Sequence, residues 1–595
     1  MSKNPTPEQA LAINTIKSNV SLLAGAGSGK TYVLMKRFVQ ILRADLSVNP
    51  TNIVAITFTR KAADEIKGRV RQAVSECVEQ AQTDLERLRW QEHLQKVESA
   101  PISTIHSLCS RILRDNPVET QLDPEFTVLE DFEEKDFFKE TLQQYLRKNI
   151  KDNEALRRLV QTYGVNSFVN QVDALSGRLS ELVLEKDLAE PYLKAKEELP
   201  ALQQKLFAAV REVIEAREAL GAKSKGRQTL TEAAGLLDEM QKQLLAPEPD
   251  CSLLDASGVV KVSGKALAAE LTNLKNLRQE LNHVILNAKG CDLVQDWLAV
   301  LQEFYACLSA RKQENNVLFN DDLDLLAIEH LQKNEALRQK YQERYKYIMV
   351  DEFQDTNERQ RQLIYLLCGN KLDNTNNLFI VGDVKQSIYR FRHADVSVFN
   401  RVKEDIAQNA GQNLGMKTNF RSTQSIVESC NTAFCQLMDL PEEEICLEHH
   451  EGANTGGAKV CLLQVPYKSK DDDLGAKEDK WQKEAEAIAA YLQQELPKVE
   501  PQLRPVASKA ILLRAMTHCE ILRQTLQGYG INCVVVKGKG FYEQQEVLDI
   551  LNLLAALHNR YASLELAGAL RSNYFGLDDA TLTQLFWQTD NDKPL

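Results

Sequence analysis

Five apolar runs, each rich in β-branched residues, end in polar or glycine-bearing loops, and this pattern most constrains how the chain can fold. The runs are VSLLAGAG (20–27), NIVAITFT (52–59), PISTIH (101–106), YIMVDE (347–352) and LFIVGD (378–383). Continuous apolar runs are typical of strands buried on both faces of a parallel sheet. Helix-periodic segments follow most of them, such as KTYVLMKRFVQIL from Lys30. The pattern therefore predicts a doubly wound α/β domain.

A long segment of different character separates the third run from the fourth. Residues 113–319 are charged and helix-periodic, as in LEDFEEKDFFKETLQQYLRKN, and predict a mostly helical insertion. The first α/β domain is therefore expected at residues 1–112 and 320–395. A second α/β pattern begins at residue 396. Its strand-like segments are LGMKTNF (414–420), AKVCLLQVPY (458–467), KAILLRAM (509–516) and NCVVVKG (532–538).

Composition excludes membrane-embedded and disordered classes. The 43% hydrophobic and 26% charged residues are typical of a soluble globular protein. No apolar run approaches the ~20 residues of a membrane span, and MSKNPTPEQA is unlike a secretory signal. A net charge of −12 argues against a protein covered by nucleic acid. It still permits a local basic channel, because salt screens exposed charges beyond ~8–10 Å. We expect a cytoplasmic protein without membrane association.

The twelve cysteines contain no CxxC pair, which favours reduced thiols in a cytosolic protein. Cys430, Cys435 and Cys446 come nearest to a cluster. We interpret them as buried helix residues rather than as ligands of a metal or an iron–sulfur centre.

The segment AGAGSGKT lies between a predicted buried strand and a predicted helix. Small residues let backbone N–H groups surround phosphate oxygens, and the helix N-terminus adds a favourable dipole. Lys30 would reach the outer phosphates, and the Thr31 hydroxyl would bind Mg²⁺. Alanine replaces the usual first glycine of the pattern. The candidate nucleotide-binding residues of this loop are Ala24, Gly25, Ala26, Gly27, Ser28, Gly29, Lys30 and Thr31.

The segment YIMVDEFQDT places two acids at the end of another predicted strand. Asp351 would hold Mg²⁺ through water, and Glu352 would polarise the attacking water. Together with the glycine-rich loop, these acids indicate a nucleotide-hydrolysing site. A P-loop kinase shares both features, so that alternative stays open at this point.

Two other strand ends carry residues suited to a nucleic-acid backbone. TFTRKAADEIKGR presents Thr59 and Arg60, and STIHSLCSRIL presents Thr104 and His106. Hydroxyls, amides and cations at strand-to-helix turns can bind phosphates. Read alone, the first segment is also compatible with an amphipathic surface helix, and the histidine with a structural role.

The segment GDVKQSIYRFRHAD combines two chemistries. Asp383 and Gln386 follow the run LFIV, where α/β proteins place nucleotide-handling groups. Tyr389, Phe391 and Arg392 then alternate rings and a guanidinium, which suits stacking on unpaired bases. The alternative is that the rings belong to the core.

In their order, AGAGSGKT, FTRKAADEI, STIHSLC, DEFQDT, GDVKQSIYRFRHAD and NFRS resemble the motifs of UvrD/RecB-type superfamily 1 DNA helicases. GKGFYEQQEVLDI (538–550) resembles the motif that follows. DVKQSIYRFR, LFNDDLDLL and the helical insertion are closest to the AddA/RecB helicase–nuclease branch. The resemblance implies a RecA-like P-loop NTPase domain with a large helical insertion, plus a partial second RecA-like domain at 396–555. Residues 556–595 would begin a second helical insertion.

The resemblance also implies roles for individual residues and their cofactors, ATP and Mg²⁺. Gln9 would read adenine, Gln386 would sense the γ-phosphate, and Arg421 of NFRS would reach it from the second domain. The implied catalytic residues are Lys30, Asp351, Glu352, Gln386 and Arg421. The implied DNA-binding residues are Thr59, Arg60, Thr104, His106, Tyr389, Phe391 and Arg392.

The implied activity is that of an ATP-dependent 3′–5′ DNA helicase or translocase of recombinational double-strand break repair. It would act on single-stranded or duplex-end DNA, and its candidate partner is the other polypeptide of a helicase–nuclease complex. Two later family motifs and a nuclease domain are not found in residues 551–595. We therefore expect the N-terminal half of a longer helicase, with weak or no ATPase activity alone. The alternative is a non-catalytic ATP-binding, DNA-binding module of a larger assembly.

Overall fold

The computed structural model describes residues 4–184, 188–263, 265–369, 372, 377–389, 394–450, 460–465, 474–495, 509–536, 544–559 and 561–587. They belong to two compact units, Met1–Ala458 and Lys459–Leu595. Among the helices of these described ranges, none combines the length and apolar character that crossing a membrane requires.

The first unit contains all of the strands in the described part of the chain. They are β1 (Val20–Ala24), β2 (Ile53–Thr57), β3 (Ile102–Thr104), β4 (Thr127–Val128), β5 (Val317–Leu318), β6 (Tyr347–Val350), β7 (Asn377–Gly382), β8 (Gln412–Met416), β9 (Thr418–Asn419) and β10 (Glu448–His449).

Helices surround these strands. Those of the first unit are α1 (Pro7–Asn14), α2 (Lys30–Ala44), α3 (Arg60–Gln80), α4 (Asp84–Val97), α5 (Ile105–Arg114), α6 (Pro117–Thr120), α7 (Asp131–Asn149), α8 (Glu154–Tyr163), α9 (Val165–Ala174), α10 (Leu179–Leu184), α11 (Glu190–Glu215), α12 (Lys225–Ala234), α13 (Leu237–Leu244), α14 (Ser252–Ala256), α15 (Ala268–Glu314), α16 (Asn320–Lys333), α17 (Glu335–Arg344), α18 (Glu358–Cys368), α19 (Val396–Gln408), α20 (Gln424–Leu437) and α21 (Glu442–Ile445). Those of the second unit are α22 (Leu474–Glu495), α23 (Cys519–Gly528), α24 (Gln545–His558), α25 (Ser563–Arg571) and α26 (Asp579–Trp587).

A six-stranded parallel sheet forms the centre of the first unit, in the order β3-β2-β6-β7-β1-β8. The five apolar runs of the sequence supply β1, β2, β3, β6 and β7, so the predicted parallel sheet is confirmed. Every residue of β2 and β6 is buried, and separate apolar cores cover the two faces. Because parallel strands end at the same edge, the loops that follow them are brought together there.

The sixth strand differs from the expectation. LGMKTNF was assigned to a second α/β domain, but β8 pairs in parallel with β1, with Leu22 opposite Leu414. The Ser21 hydroxyl donates to Asn413 Oδ1 at 2.6 Å, and Gly25 N–H donates to Met416 O at 3.2 Å. The strand therefore extends the sheet of the first unit. A domain boundary at residue 396 remains a proposal.

Residues between 113 and 319 are mostly helical where the structure describes them. The 47-residue α15 packs along α11. One core lies around Leu206, Val210 and Leu274, and another around Phe138 and Phe304. These apolar faces hold the insertion together.

The regular elements that the structure describes in the second unit are helices, α22 to α26. Ala485 and Ala489 of α22 pack against Leu522 and Leu526 of α23. The strands expected around residues 460–465, 509–516 and 532–536 are not formed in these described segments. Leu462, Leu512 and Val534 are 93%, 94% and 89% exposed. An apolar run becomes a strand only when a neighbouring backbone pairs with it, and the described segments show no such pairing.

Candidate functional site

The loop between β1 and α2 has the shape that AGAGSGKT predicts. Gly27 and Gly29 adopt φ values of 72° and 90°, which suit glycine because a Cβ would be strained there. The Ser28 hydroxyl donates to Gly25 O at 2.7 Å and closes the turn. The loop leads into Lys30 and Thr31, the first residues of the 15-residue α2. A glycine-bearing turn ahead of a long helix is suited to form a phosphate cradle.

The lysine of this loop is engaged with one of the predicted catalytic acids. Lys30 Nζ lies 2.7 Å from Glu352 Oε2. Asp351 directly follows β6, and its N–H donates to Ile56 O of β2 at 2.8 Å, which fixes it at the strand-end edge. Glu352 adopts a left-handed φ of 50°, rare for a residue with a side chain. The turn thereby directs Glu352 to Lys30, and the two predicted catalytic groups are in contact.

Two nearby carboxyl groups are costly to ionise. Burial, and then the charge of Glu352, raise the pKa of Asp351 to about 6. Burial, followed by the same charge, raises the pKa of Asp355 to about 6. Asp355 Oδ1 is buried and has no hydrogen-bond partner among the described residues. A divalent cation would compensate this concentration of negative charge.

The donor set fits Mg²⁺. No group of three or more His, Cys, Asp or Glu in the described ranges is arranged to hold a metal by itself. In phosphate-transfer sites, Mg²⁺ is bound by one or two carboxylates together with substrate phosphates and water. Thr31 lies in the helix after β1 and Asp351 directly follows β6, and their roles as the protein ligands of Mg²⁺ remain predictions.

Gln354 links this site to the strand end after β7, and the sequence prediction missed it. Its side chain is 1% exposed. Its Nε2 donates to Glu352 Oε2 at 2.8 Å and to Asp355 Oδ2 at 3.3 Å. Its Oε1 accepts from Asp383 N–H at 2.9 Å. One amide therefore joins the carboxylates of Glu352 and Asp355 to the segment that carries Gln386.

Asp383 completes the connection. It is 1% exposed, and its Oδ1 lies 3.0 Å from Lys385 Nζ. Gln386 Nε2 donates to Asp383 Oδ2 at 2.7 Å. The resulting chain of contacts runs from Lys30 through Glu352, Gln354 and Asp383 to Gln386, and is hereafter called the strand-end network.

Gln9 lies against the glycine-rich loop. Its Nε2 donates to Ser28 O at 2.9 Å, and its Oε1 accepts from Thr6 N–H at 3.1 Å. Thr6 also caps α1. Each amide atom has one protein partner and keeps one further hydrogen-bonding position, so adenine recognition by Gln9 stays a prediction.

The segment that carries Arg421 also contacts the loop. Asn419 Nδ2 donates to Ala26 O at 2.7 Å, while Asn419 Oδ1 accepts from Arg421 N–H at 2.9 Å. A Cβ built on Gly27 would lie 2.8 Å from Arg421 Cβ. Arg421 is therefore beside the phosphate cradle and within the first unit, and its contact with the γ-phosphate remains a prediction. Asn419 was missed, although it precedes Phe420 and Arg421 in the quoted motif NFRS.

The predicted DNA-facing threonines cap helices. Thr59 Oγ1 accepts from Ala62 N–H at 3.2 Å at the start of α3. Thr104 Oγ1 accepts from Ser107 N–H at 3.3 Å at the start of α5. His106 lies in the first turn of α5, and burial lowers its pKa. Arg60 is exposed at the start of α3. Contacts of these four residues with DNA remain predictions.

An aromatic stack joins two strand-end loops. The rings of Phe58, after β2, and Tyr389, after β7, have centroids 4.5 Å apart and an interplanar angle of 29°. Phe58 was missed, although it stands between the two threonines of TFT. Phe391 and Arg392 lie outside the described residues, so their contacts with DNA also remain predictions.

Comparisons with known proteins identify related sequences. The model of the UvrD/REP helicase N-terminal domain matches residues 5–407, and that of the UvrD-like helicase C-terminal domain matches residues 414–593. An ATP-dependent helicase/nuclease subunit of Listeria welshimeri is 28% identical over 98% of this chain and 53% of its own length. The protein of the same name from Streptococcus mutans is 27% identical, over 98% of this chain and 52% of its own length. The "Exonuclease/helicase subunit RexA" of Lactococcus lactis is also 27% identical, over 99% and 54%.

The chain therefore spans about half the length of these curated relatives. The expectation that it holds only the N-terminal half of the helicase needs correction. The match at residues 414–593 shows that the C-terminal helicase domain is represented as well. A divergent sequence can match a whole-domain pattern although individual short motifs are not recognised by eye.

Proposed function

Because the chain belongs to the UvrD/REP helicase family, we propose that it is an ATP-dependent motor that moves along single-stranded DNA. The proposed direction is 3′ to 5′, and the proposed process is recombinational repair of double-strand breaks. The direction and process rest on the resemblance to the AddA/RecB branch. A P-loop kinase would not account for the family match or for the stacked rings beside the nucleotide site.

The strand-end network is the observation that carries this proposal. Lys30, Glu352 and Gln386 belong to three different strand-end loops, and Gln354 and Asp383 connect them by hydrogen bonds of 2.7 to 2.9 Å. Tyr389, whose ring lies on Phe58, follows Gln386 closely in the same loop. A change at the γ-phosphate can therefore be transmitted to a surface suited to bases.

The residues divide the hydrolytic work among themselves. Lys30 would leave Glu352 for the phosphates, which frees the Glu352 carboxylate to orient and polarise water. The Gln354 amide would keep that carboxylate in place through its 2.8 Å hydrogen bond. Mg²⁺, used with ATP throughout this family, would be held by Thr31 and Asp351 and would offset phosphate charge.

Two further residues would sense the terminal phosphate. Gln386 would contact it or the adjacent water, and Arg421 would stabilise the charge that develops during transfer, as arginine fingers do elsewhere. The Cβ of Arg421 already lies beside Gly27. Hydrolysis would then change the position of both residues and with it the grip on DNA.

We also propose a cytoplasmic location and a partner. The relatives are named as subunits, which supports a second helicase–nuclease polypeptide as the partner of this chain. The proposed substrate is single-stranded DNA or the single-stranded portion of a duplex end.

A non-catalytic, ATP-gated DNA-binding module is the second candidate. The observation in its favour is that Glu352, the acid proposed to polarise water, is paired with Lys30 at 2.7 Å. Such a module would bind nucleotide without turnover.

ATP hydrolysis with and without single-stranded DNA separates the two. Stimulation of about tenfold or more supports the motor. Tight Mg·ATP binding without DNA-dependent turnover would replace the motor by the module.

A further inference from the structure

Two of the cysteines interpreted as buried helix residues are accessible and adjacent. Cys435 lies on α20 and is exposed, and Cys446 directly follows α21 and is half-buried. Their sulfur atoms are 3.5 Å apart. The interpretation as buried residues is therefore wrong for this pair, and also for the exposed Cys430. Sulfur atoms in contact need only a small side-chain movement to reach the ~2.0 Å of a disulfide.

The surrounding contacts hold the two thiols in this arrangement. Asn431, one turn before Cys435, donates from Nδ2 to Leu447 O at 2.8 Å and accepts from Leu447 N–H at 3.0 Å. Both backbone groups of the residue after Cys446 are therefore fixed to α20. The proximity of the sulfur atoms follows from this clamp, so it is a feature of the fold at this point.

The clamped segment also touches the phosphate cradle. A Cβ built on Gly25 would collide with Leu447 Cδ2. β10 then pairs with β9, and His449 Nδ1 lies 3.1 Å from Ser422 O, next to Arg421. The residues after Cys446 therefore form part of the wall beside the glycine-rich loop.

We propose that Cys435 and Cys446 form a redox-active dithiol, which a hydroperoxide converts to a disulfide. The disulfide restrains the residues after Cys446, which form the wall beside the glycine-rich loop. The more exposed Cys435 thiolate attacks the peroxide, forms a sulfenic acid and releases water or an alcohol. Cys446 then attacks the Cys435 sulfur, the S–S bond forms, and the sulfenic oxygen leaves as water. Two thiols lose two electrons, which reduce the O–O bond. A thiol reductant reverses the modification.

Mass mapping of the full chain tests the bond directly. A Glu-specific protease cuts after Glu428 and at Glu442–Glu444, and so separates Cys435 from Cys446. After treatment with one equivalent of hydrogen peroxide, non-reducing digestion should give peptides 429–442 and 445–448 joined together. Dithiothreitol should release them. The Cys430→Ser variant removes the third thiol of the region and should behave like the wild type, whereas Cys446→Ser should give no cross-link.

Nucleotide binding tests the consequence. The glycine-rich loop must release Lys30 and admit phosphates, and a fastened wall resists that movement. We expect the oxidised protein to bind a fluorescent Mg·ADP analogue at least threefold more weakly, with recovery on reduction and no change in Cys446→Ser. Oxidation of Cys435 to sulfinic acid with a free Cys446 thiol would overturn the dithiol. A cross-link without any change in nucleotide affinity would overturn its link to the phosphate cradle. Neither result depends on whether the chain is a motor, because no turnover is measured.

Discussion

At the scale of residues, Lys30 supplies the positive charge of the proposed nucleotide site. Its partner here is Glu352, at 2.7 Å. Lys30→Ala should weaken Mg·ATP binding by about thirtyfold or more, the equivalent of roughly 2 kcal/mol for a hydrogen bond to a charged group. Affinity for single-stranded DNA should be retained. Titration with a fluorescent nucleotide and with labelled DNA checks both, with Lys17→Ala, at an exposed position, as the control. Loss of affinity for both nucleotide and DNA would contradict the assignment of Lys30 to the nucleotide site alone.

Gln354 is the residue through which the hydrolytic acids reach the β7 loop. Gln354→Met keeps the length of the side chain but removes three hydrogen bonds, to Glu352, Asp355 and Asp383. We expect Mg·ATP affinity to stay within about twofold, and DNA stimulation of hydrolysis to fall about tenfold. If Gln354 were only structural, the substitution would lower Mg·ATP affinity and DNA stimulation of hydrolysis to the same extent. Gln362→Met, on the exposed face of α18, is the matched control.

Residue patterns were informative about the candidate site where chemically suited residues directly follow predicted strands. The glycine-rich loop, Asp351, Glu352 and Gln386 were all recognisable from their types and positions. Gln354 was not recognisable, because its hydrogen-bond partners include Asp383, which is 29 positions away in the sequence. An amide shows its role only once the fold supplies its partners. The same holds for Cys435 and Cys446, whose proximity depends on the clamp by Asn431.

At the scale of elements, the loops after β2 and β7 meet through Phe58 and Tyr389. Tyr389→Ala should weaken binding of single-stranded DNA by roughly 1 to 3 kcal/mol, the value of one base–aromatic stack. Tyr389→Phe keeps the ring and should bind DNA nearly as well as the wild type. Fluorescence anisotropy measures both. Equal DNA affinity of the alanine variant and the wild type would remove Tyr389 from the DNA surface. The same expectation applies to Phe391→Ala.

Helix α16 contains a buried acid that makes stability depend on pH. Asp324 is 3% exposed, and burial raises its pKa to about 7, while Arg359 acts in the opposite direction. A carboxyl with a raised folded-state pKa favours the fold below its unfolded value of about 3.8, and this contribution is lost as pH rises through about 7. Asp324→Asn removes that loss. Its stability advantage should grow by about 2 kcal/mol between about pH 5.5 and pH 8.

Denaturant unfolding at the two pH values measures this difference. Glu343→Gln changes an exposed acid of the neighbouring helix α17 and is the comparison variant. An advantage of Asp324→Asn that is equal at both pH values would contradict the assignment of the raised pKa to Asp324.

Element types were more predictable than element partners. Five apolar runs identified five neighbouring strands, because strands that are buried on both faces consist almost entirely of apolar residues. β8 was assigned to another domain, since its pairing with β1 depends on contacts such as Ser21 with Asn413, 392 positions apart. The runs around 460–465 and 509–516 were expected as strands, but in the described ranges no backbone pairs with them.

At the scale of the whole molecule, the proposed motor requires that nucleotide and DNA both act on the strand-end network. ATP would bind at the glycine-rich loop, DNA would bind beside Tyr389, and the strand-end network would lie between them. Any coupling between the two ligands must be reciprocal. The factor by which nucleotide changes DNA affinity equals the factor by which DNA changes nucleotide affinity.

The most direct test measures that factor in both directions. The affinity for a labelled oligodeoxynucleotide is determined with and without a saturating non-hydrolysable Mg·ATP analogue, and the affinity for the analogue with and without DNA. The account predicts equal factors of about fivefold or more in the wild type, and factors near one in Gln354→Met. DNA and nucleotide affinities that are independent of each other in the wild type would contradict it.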